Sequence, residues 1–217
     1  EIPLRLVGSE MCIRDRLCGY IGSGKNAVAE MLVKNHGYEQ DSFAKSLKDA
    51  VSAVFGWPRE LLEGNTPHSR EWREAPDTWW TEQLEMPVSP RLALQVIGTE
   101  VFRGKYHNNI WVASLLRRVG DRKVVVSDVR FPNEANMIKS IHGEVWRVRR
   151  GADPVWFRMY HDIGNDPKDV HPSEWAWANT DFNTELSNNG TIAELKNQVQ
   201  DRLVANGFLQ GAKISGS

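Results

Sequence analysis

Gly19-Tyr20-Ile21-Gly22-Ser23-Gly24-Lys25 is the stretch on which the reading of this chain turns. A backbone that curls around an anion cannot carry a Cβ where the anion sits, so glycines recur in such a loop, and the lysine that follows extends its positive charge outward. The spacing Gly-x4-Gly-Lys matches the phosphate-loop pattern. Asn26 to His36 reads as a helix closed by Gly37, and a helix that starts at such a loop points its free N–H groups at the anion. A plain glycine-rich turn is the alternative. The loop's eighth position is Asn26, where the pattern usually has the Ser or Thr that contacts magnesium. An amide oxygen there is a weaker ligand, suited to holding a metal-bound water.

Upstream, a phosphate loop in an α/β protein should follow a buried parallel strand of mostly apolar residues. The matching stretch, Ile13 to Cys18, carries Arg14, Asp15 and Arg16 in succession, which is costly in a sheet covered on both faces. Leu4 to Arg16 resembles the peptide obtained when sequencing-adaptor DNA is translated, so residues 1–16 are expected to be a non-native leader.

Downstream, Tyr38 to Phe43 is a short strand candidate, and Ala44 to Phe55 has apolar residues at helical spacing before Gly56-Trp57-Pro58 ends it. Residues 56–90, rich in Pro, Trp and charge, read as an insertion of short helices. Ser89-Pro90 opens a helix running through Leu92 and Val96 to Phe102, and Asn109 to Val119 is another. Lys123 to Asp128 is a buried strand ending in an acid, Pro132 opens a helix closed by Gly143, and Glu144 to Arg149 is a further strand. Residues 150–175 turn polar with weak periodicity and are the expected lid. Phe182 to Leu186 is the last strand, Thr191 to Glu194 is a capping box opening the final helix, and 209–217 reads as a flexible tail. The alternation predicts an α/β fold: a mostly parallel five-stranded sheet with helices on both faces and a helical or lid insertion, in a single domain over 17–208.

Composition narrows the function classes. The 217 residues have a formal net charge of -1, 41% hydrophobic and 25% charged residues, which argues against a disordered chain or a polybasic nucleic-acid binder. Two cysteines, Cys12 and Cys18, make neither a disulfide framework nor a zinc site and fit a reducing cytoplasm. No apolar run is long enough for a transmembrane helix.

Asp128, at the carboxyl end of Val124-Val125-Val126, lies where ligands bind in open α/β sheets. It is a candidate for organising magnesium through water; a helix cap or a salt bridge to Arg130 is the structural alternative. Phosphoryl transfer develops charge that arginines neutralise. Arg103, Arg130, Arg147, Arg149 and Arg150 are candidates, whereas Arg117, Arg118 and Arg122 read as a solvated helix end. Trp72, Trp79 and Trp80 could stack on a base or simply fill a core.

Several stretches together resemble the phage-type deoxynucleoside monophosphate kinases, a branch of the P-loop NMP kinases. They are Gly19 to Lys25; Ser42 to Lys48; Arg91, Gln95, Gly98, Thr99, Glu100 and Arg103 with Trp111; Ser127 to Glu134; and His171 to Glu174. The resemblance implies a P-loop NTPase fold and transfer of the γ-phosphoryl of ATP to the 5′-phosphate of a deoxynucleoside monophosphate, with Mg2+. On this chain it implies that Gly19, Gly22, Ser23, Gly24, Lys25, Asn26 and Ala27 hold the nucleotide. Ser42, Phe43, Lys45, Arg91, Gln95, Thr99 and Arg103 would face the acceptor, with Arg103 clamping its phosphate. Lys25, Asp128, Arg130 and Arg103 would serve catalysis. The implied partners are ATP and a dNMP, with no nucleic acid or membrane, and a homodimer is left open. A dephospho-coenzyme-A kinase-like enzyme, an ATP-hydrolysing switch or motor, and a nucleotide binder without turnover are the competing readings.

Overall fold

The computed structural model describes residues 13–20, 22–120, 122–167 and 171–207, with backbone alone for 13–16. Most of the expected leader and the expected tail, together with part of the expected lid, lie outside the described residues. The chain divides into two compact units, one comprising residues through Gln40 together with those after Gly120, the other Asp41–Gly120.

The first unit is a layered α/β body. Its sheet contains β1 (Ile13–Cys18), β2 (Glu39–Asp41), β3 (Val124–Val126), β4 (Glu144–Arg149) and β5 (Thr184–Ser187) in the order β2-β3-β1-β4-β5. β1 runs parallel to both β3 and β4, and β4 runs parallel to β5. The stretch whose charges argued against a strand is thus the central one. Val124, Val125 and Val126 are all fully buried, as expected of a parallel strand covered on both faces. Alternation along β4 sorts the two faces: Trp146 and Val148 join Leu17, Val125 and Leu186 beneath α1 (Lys25–His36) and α10 (Ile192–Ala205). Val145 and Arg147 face the other way, the side on which α7 (Pro132–Ser140) and α8 (Val155–Ile163) lie.

Helix boundaries follow local chemistry. Gly37, with φ 67°, closes α1, and its N–H donates to the Leu32 carbonyl. The Thr191 hydroxyl accepts from the Glu194 N–H while the Glu194 carboxylate reaches back to the Thr191 N–H. The segment expected to be a weakly periodic lid contains α8 and α9 (Pro172–Trp175). Helix α8 places Phe157 in the core while Val155, Met159 and Ile163, spaced four apart along one face, stay exposed.

The second unit is helical: α2 (Lys45–Phe55), α3 (Pro67–Glu74), α4 (Thr78–Leu84), α5 (Pro90–Gln95) and α6 (Ile110–Val119). Thr66, Asp77 and Ser89 cap α3, α4 and α5 through side-chain oxygens. The helix predicted to run evenly from Ser89 to Phe102 instead widens after Gln95 into a π-helical segment, Val96–Tyr106, ending with the His107 N–H on the Phe102 carbonyl. The Trp111 indole donates to the Gly98 carbonyl at 2.9 Å, a side-chain donor inserted into the helix's own ladder.

The tryptophan-rich insertion packs on itself. Phe55 stacks on Trp57 at 4.3 Å between centroids, and Trp72 and Trp80 meet this pair edge-on. Indole N–H groups of Trp57 and Trp80 bond Asp77 and the Phe55 carbonyl. Trp79 alone of the three singled out in the sequence is largely exposed, at 58%.

Candidate active site

The loop between β1 and α1 is shaped by backbone that only glycine tolerates. Gly19 has φ 139°, and a Cβ there would lie 2.3 Å from the Val148 carbonyl oxygen, a main-chain atom of the neighbouring strand that cannot step aside. Gly24 has φ 105°, and its absent Cβ leaves room for the Asn188 amide, which donates to the Ser23 carbonyl at 2.9 Å. Helix α1 starts at Gly24 with no side-chain cap and no acid in its first turn, so its dipole and its first N–H groups face the loop uncompensated. The Ser23 hydroxyl is buried there without a hydrogen-bond partner among the described residues.

Lys25 is folded back over the loop, its Nζ donating to the carbonyls of Gly19 and Tyr20 at 2.7 Å each. Burial lowers its pKa to about 8; Arg130 pushes the same way, and Cys18, Glu174 and Asp128 oppose. The lysine therefore shares one electrostatic neighbourhood with Asp128, Arg130 and Glu174, three residues from two other segments. Cys18, beneath the loop, is buried and its thiol is pushed up to about 12 by that burial, which makes it inert as a nucleophile at neutral pH.

Asp128 and Arg130 leave the carboxyl end of β3. The buried Glu134 carboxylate accepts from the backbone N–H groups of Arg130, at 2.7 Å, and Phe131, at 3.1 Å, and so fixes this turn. Nη1 of Arg130 donates to the Ser173 carbonyl and to Glu174 Oε1, both at 3.1 Å. The sequence reading included Glu134 in the Ser127–Glu134 stretch but gave it no role, although an acid three residues after an N-cap is a capping-box signal.

The other arginine candidates separate cleanly. Arg147 is buried, paired with Asp153 and Glu185 and lying 4.2 Å from the Phe157 ring centroid, so it ties α8 to the sheet rather than pointing to a ligand. Tyr20, a loop residue, joins this network through its hydroxyl on Asp153, and burial raises its pKa. Arg149 is held by Glu185, and Arg150 is exposed.

Ser42, Phe43, Lys45, Arg91, Gln95, Thr99 and Arg103 all belong to the second unit. Lys45 is exposed at the start of α2, Phe43 is buried, and Arg91 pairs with Glu74 at 3.2 Å. Gln95 ends α5 and Thr99 lies on the widened segment, both half-buried. Arg103, on the same segment, is buried with Nη1 on the Asn108 backbone and side-chain oxygens. Arg118, expected to be solvated, is a correction: it donates to Ser46 Oγ at 2.6 Å, Ser114 Oγ at 2.9 Å, the Ser42 carbonyl at 2.8 Å and buried Asp41 at 3.1 Å. Its position four residues after Ser114 put it on the inner face of α6, a signal that its place beside Arg117 obscured.

A parallel sheet with a glycine cradle and lysine at the strand-to-helix turn defines a P-loop protein built to hold a nucleotide's phosphates. The chain belongs to the deoxynucleotide monophosphate kinases: it is 31% identical over 198 residues, 84% of its length, to 92% of a putative deoxynucleotide monophosphate kinase of Acanthamoeba polyphaga mimivirus. It is also 26% identical, over 57% of its length, to 70% of the deoxynucleoside-5′-monophosphate kinase of Escherichia phage T5. No protein-family model matches the chain. Among solved structures, a dephospho-CoA kinase from Campylobacter jejuni aligns over 93% of this chain and 100% of its own with 11% identity and a TM-score of 0.43. A shikimate kinase from Acinetobacter baumannii aligns over 92% and 95% with 14% identity and a TM-score of 0.42. The fold is read from the strand order and the loop, not from these two likenesses.

Proposed function

We propose that this phosphotransferase moves the γ-phosphoryl of ATP to the 5′-phosphate of a deoxynucleoside monophosphate, giving ADP and a dNDP. The observation that carries the reading is the loop itself: a cradle that a Cβ would fill, an uncapped helix start, a buried hydroxyl without a partner among the described residues, and a lysine resting on backbone carbonyls. Those features fit a polyphosphate. Gly22, Ser23, Gly24, Asn26 and Ala27 would supply N–H groups to it, and Lys25 would exchange its two carbonyls for phosphate oxygens.

For Mg2+ the chain offers Asp128 and the Asn26 amide, and among the described residues no cluster of three or more His, Cys, Asp or Glu side chains is placed to hold a metal. Such a sparse set suits an ion whose ligands are mainly phosphate oxygens and water, with Asp128 acting through water. When bound, Mg2+ would neutralise charge on the β- and γ-phosphates.

An oxygen of the acceptor 5′-phosphate attacks the γ-phosphorus, a new P–O bond forms, and the bond from that phosphorus to the β–γ bridging oxygen breaks with its electron pair leaving on ADP. The acceptor is already an anion, so no strong base is required and positioning with charge neutralisation carries the rate. Lys25 and Arg130 would supply positive charge at the transferring group. Ser42, Phe43, Lys45, Arg91, Gln95, Thr99 and Arg103 would line the acceptor's cleft.

The test is to present ATP and Mg2+ with each dNMP and NMP and to measure ADP and nucleoside diphosphate, with Lys25→Ala as control. A dNDP product that disappears with the lysine supports the reading. ATP hydrolysis to ADP and phosphate, with no diphosphate formed from any acceptor, would replace it with the switch or motor.

A further inference from the structure

Phosphoryl transfer as proposed above draws on Arg130 but not on the carboxylate that holds it. We infer that Glu174 is a positioning residue: with the Ser173 carbonyl it grips Nη1 of Arg130, so that the opposite edge of the guanidinium, Nε and Nη2, is presented to the transferring phosphoryl group.

The geometry separates the two edges. Among the described residues Nη1 makes both of the side chain's hydrogen bonds, to Ser173 O and Glu174 Oε1 at 3.1 Å each. Nε and Nη2 have no partner among the described residues, and the side chain keeps 43% of its surface exposed. Those two nitrogens form the side-on fork that matches two oxygens of one phosphate. The grip comes from elements that are themselves fixed. Backbone N–H of Arg130 is held by buried Glu134. On the other side, the Ser173 N–H is capped by His171 Nδ1, the Ser173 hydroxyl lies 2.8 Å from the same nitrogen, and the Trp177 indole donates to the Glu174 carbonyl at 2.9 Å. Strand β3, whose carboxyl end leads to Arg130, runs parallel to and pairs with β1, whose carboxyl end leads into the phosphate loop, and the charges of Arg130 and Glu174 both bear on Lys25.

A carboxylate suits this task for two reasons. A free arginine gives up rotamer freedom when it engages a phosphate, and a side chain already fixed by one nitrogen has less to lose. Preorganised charge also needs no rearrangement as the transition state forms. Glu174 would thus act on the chemical step more than on ATP binding.

The inference rests on the proposed kinase activity, and steady-state kinetics with ATP and the preferred dNMP separate its failure from the failure of that activity. Glu174→Ala is expected to lower kcat about tenfold or more while the KM for ATP stays within about twofold, and Glu174→Gln, which keeps an acceptor oxygen, should recover part of the loss. In an Arg130→Ala background, Glu174→Ala should then change kcat by less than about twofold. Equal losses with and without Arg130, or unchanged kcat in both Glu174 variants, would overturn the positioning role. Should Glu174→Ala fail to fold, the same comparison is made with Glu174→Gln. If the wild-type chain converts no dNMP, the kinase reading itself fails instead.

Discussion

Lys25 holds its proton weakly until a phosphate arrives, and that is measurable. Burial takes the ammonium from 10.5 to about 8, a penalty of roughly 3 kcal/mol on keeping the charge in the unliganded loop. At pH 8 about half of the Lys25 side chains are therefore neutral. A polyphosphate seated in the loop favours the charged form and restores the proton, so binding should take up about half a proton per nucleotide at pH 8 and almost none at pH 6.5. Calorimetry of MgATP binding in two buffers of different ionisation enthalpy reads this number directly. Lys25→Met, which keeps the length and loses the charge, should abolish the uptake. Equal binding enthalpies in both buffers at pH 8, or an uptake that survives Lys25→Met, would refute the assignment. Folding carries the same signature: between about pH 8 and 10.5 the unfolded chain binds more protons than the folded one, so the Lys25 penalty is full below pH 8 and relieved as pH rises through that window.

Other perturbations test the framework around the lysine. Gly19→Ala places a methyl group against the Val148 carbonyl at a φ that alanine resists; nucleotide binding should be lost and stability should fall by roughly 1–3 kcal/mol from backbone strain alone, read by ligand titration and thermal melting. Glu134→Ala leaves the N–H groups of Arg130 and Phe131 without their acceptor, at roughly 1–3 kcal/mol for each donor that water does not reach, and should lower kcat as the Asp128–Arg130 turn loosens. Arg118→Ala strips buried Asp41 of its ion-pair partner, leaving its carboxylate the Ser42 N–H, and the Ser42 carbonyl of its side-chain donor. It should destabilise by about 3 kcal/mol and raise the KM for the dNMP while leaving that for ATP nearly unchanged, a split that kinetics with each substrate varied in turn will show.

The parts legible in the sequence are those that local chemistry decides. The glycine spacing located the loop, Gly37 the end of α1, Thr191 and Glu194 the start of α10, and three successive valines the buried strand β3. Glu144–Arg149 was readable as a strand for the same reason. What escaped depends on partners distant in sequence. The charges of Arg14, Asp15 and Arg16 outweighed, in a local reading, the central place that β3 and β4 give to β1. Arg147 reads in sequence as a candidate for the transferring phosphate and Arg118 as a solvated cation, yet Arg147 is committed to Asp153 and Glu185 and Arg118 to buried Asp41 and two serine hydroxyls. The widened segment after Gln95 accepts, at the Gly98 carbonyl, from an indole thirteen residues further on. Glu174 belonged to a recognisable motif, but its bond to Arg130 spans 44 positions and only the fold brings them together.

The most direct test of the kinase reading follows the transferred atom. ATP labelled at the γ-phosphorus is mixed with the protein, Mg2+ and each dNMP, and the label is traced. The account predicts that it arrives intact at the β-position of a dNDP and that Lys25→Ala leaves it on ATP. Label released as inorganic phosphate, with none on any nucleoside diphosphate, would contradict it.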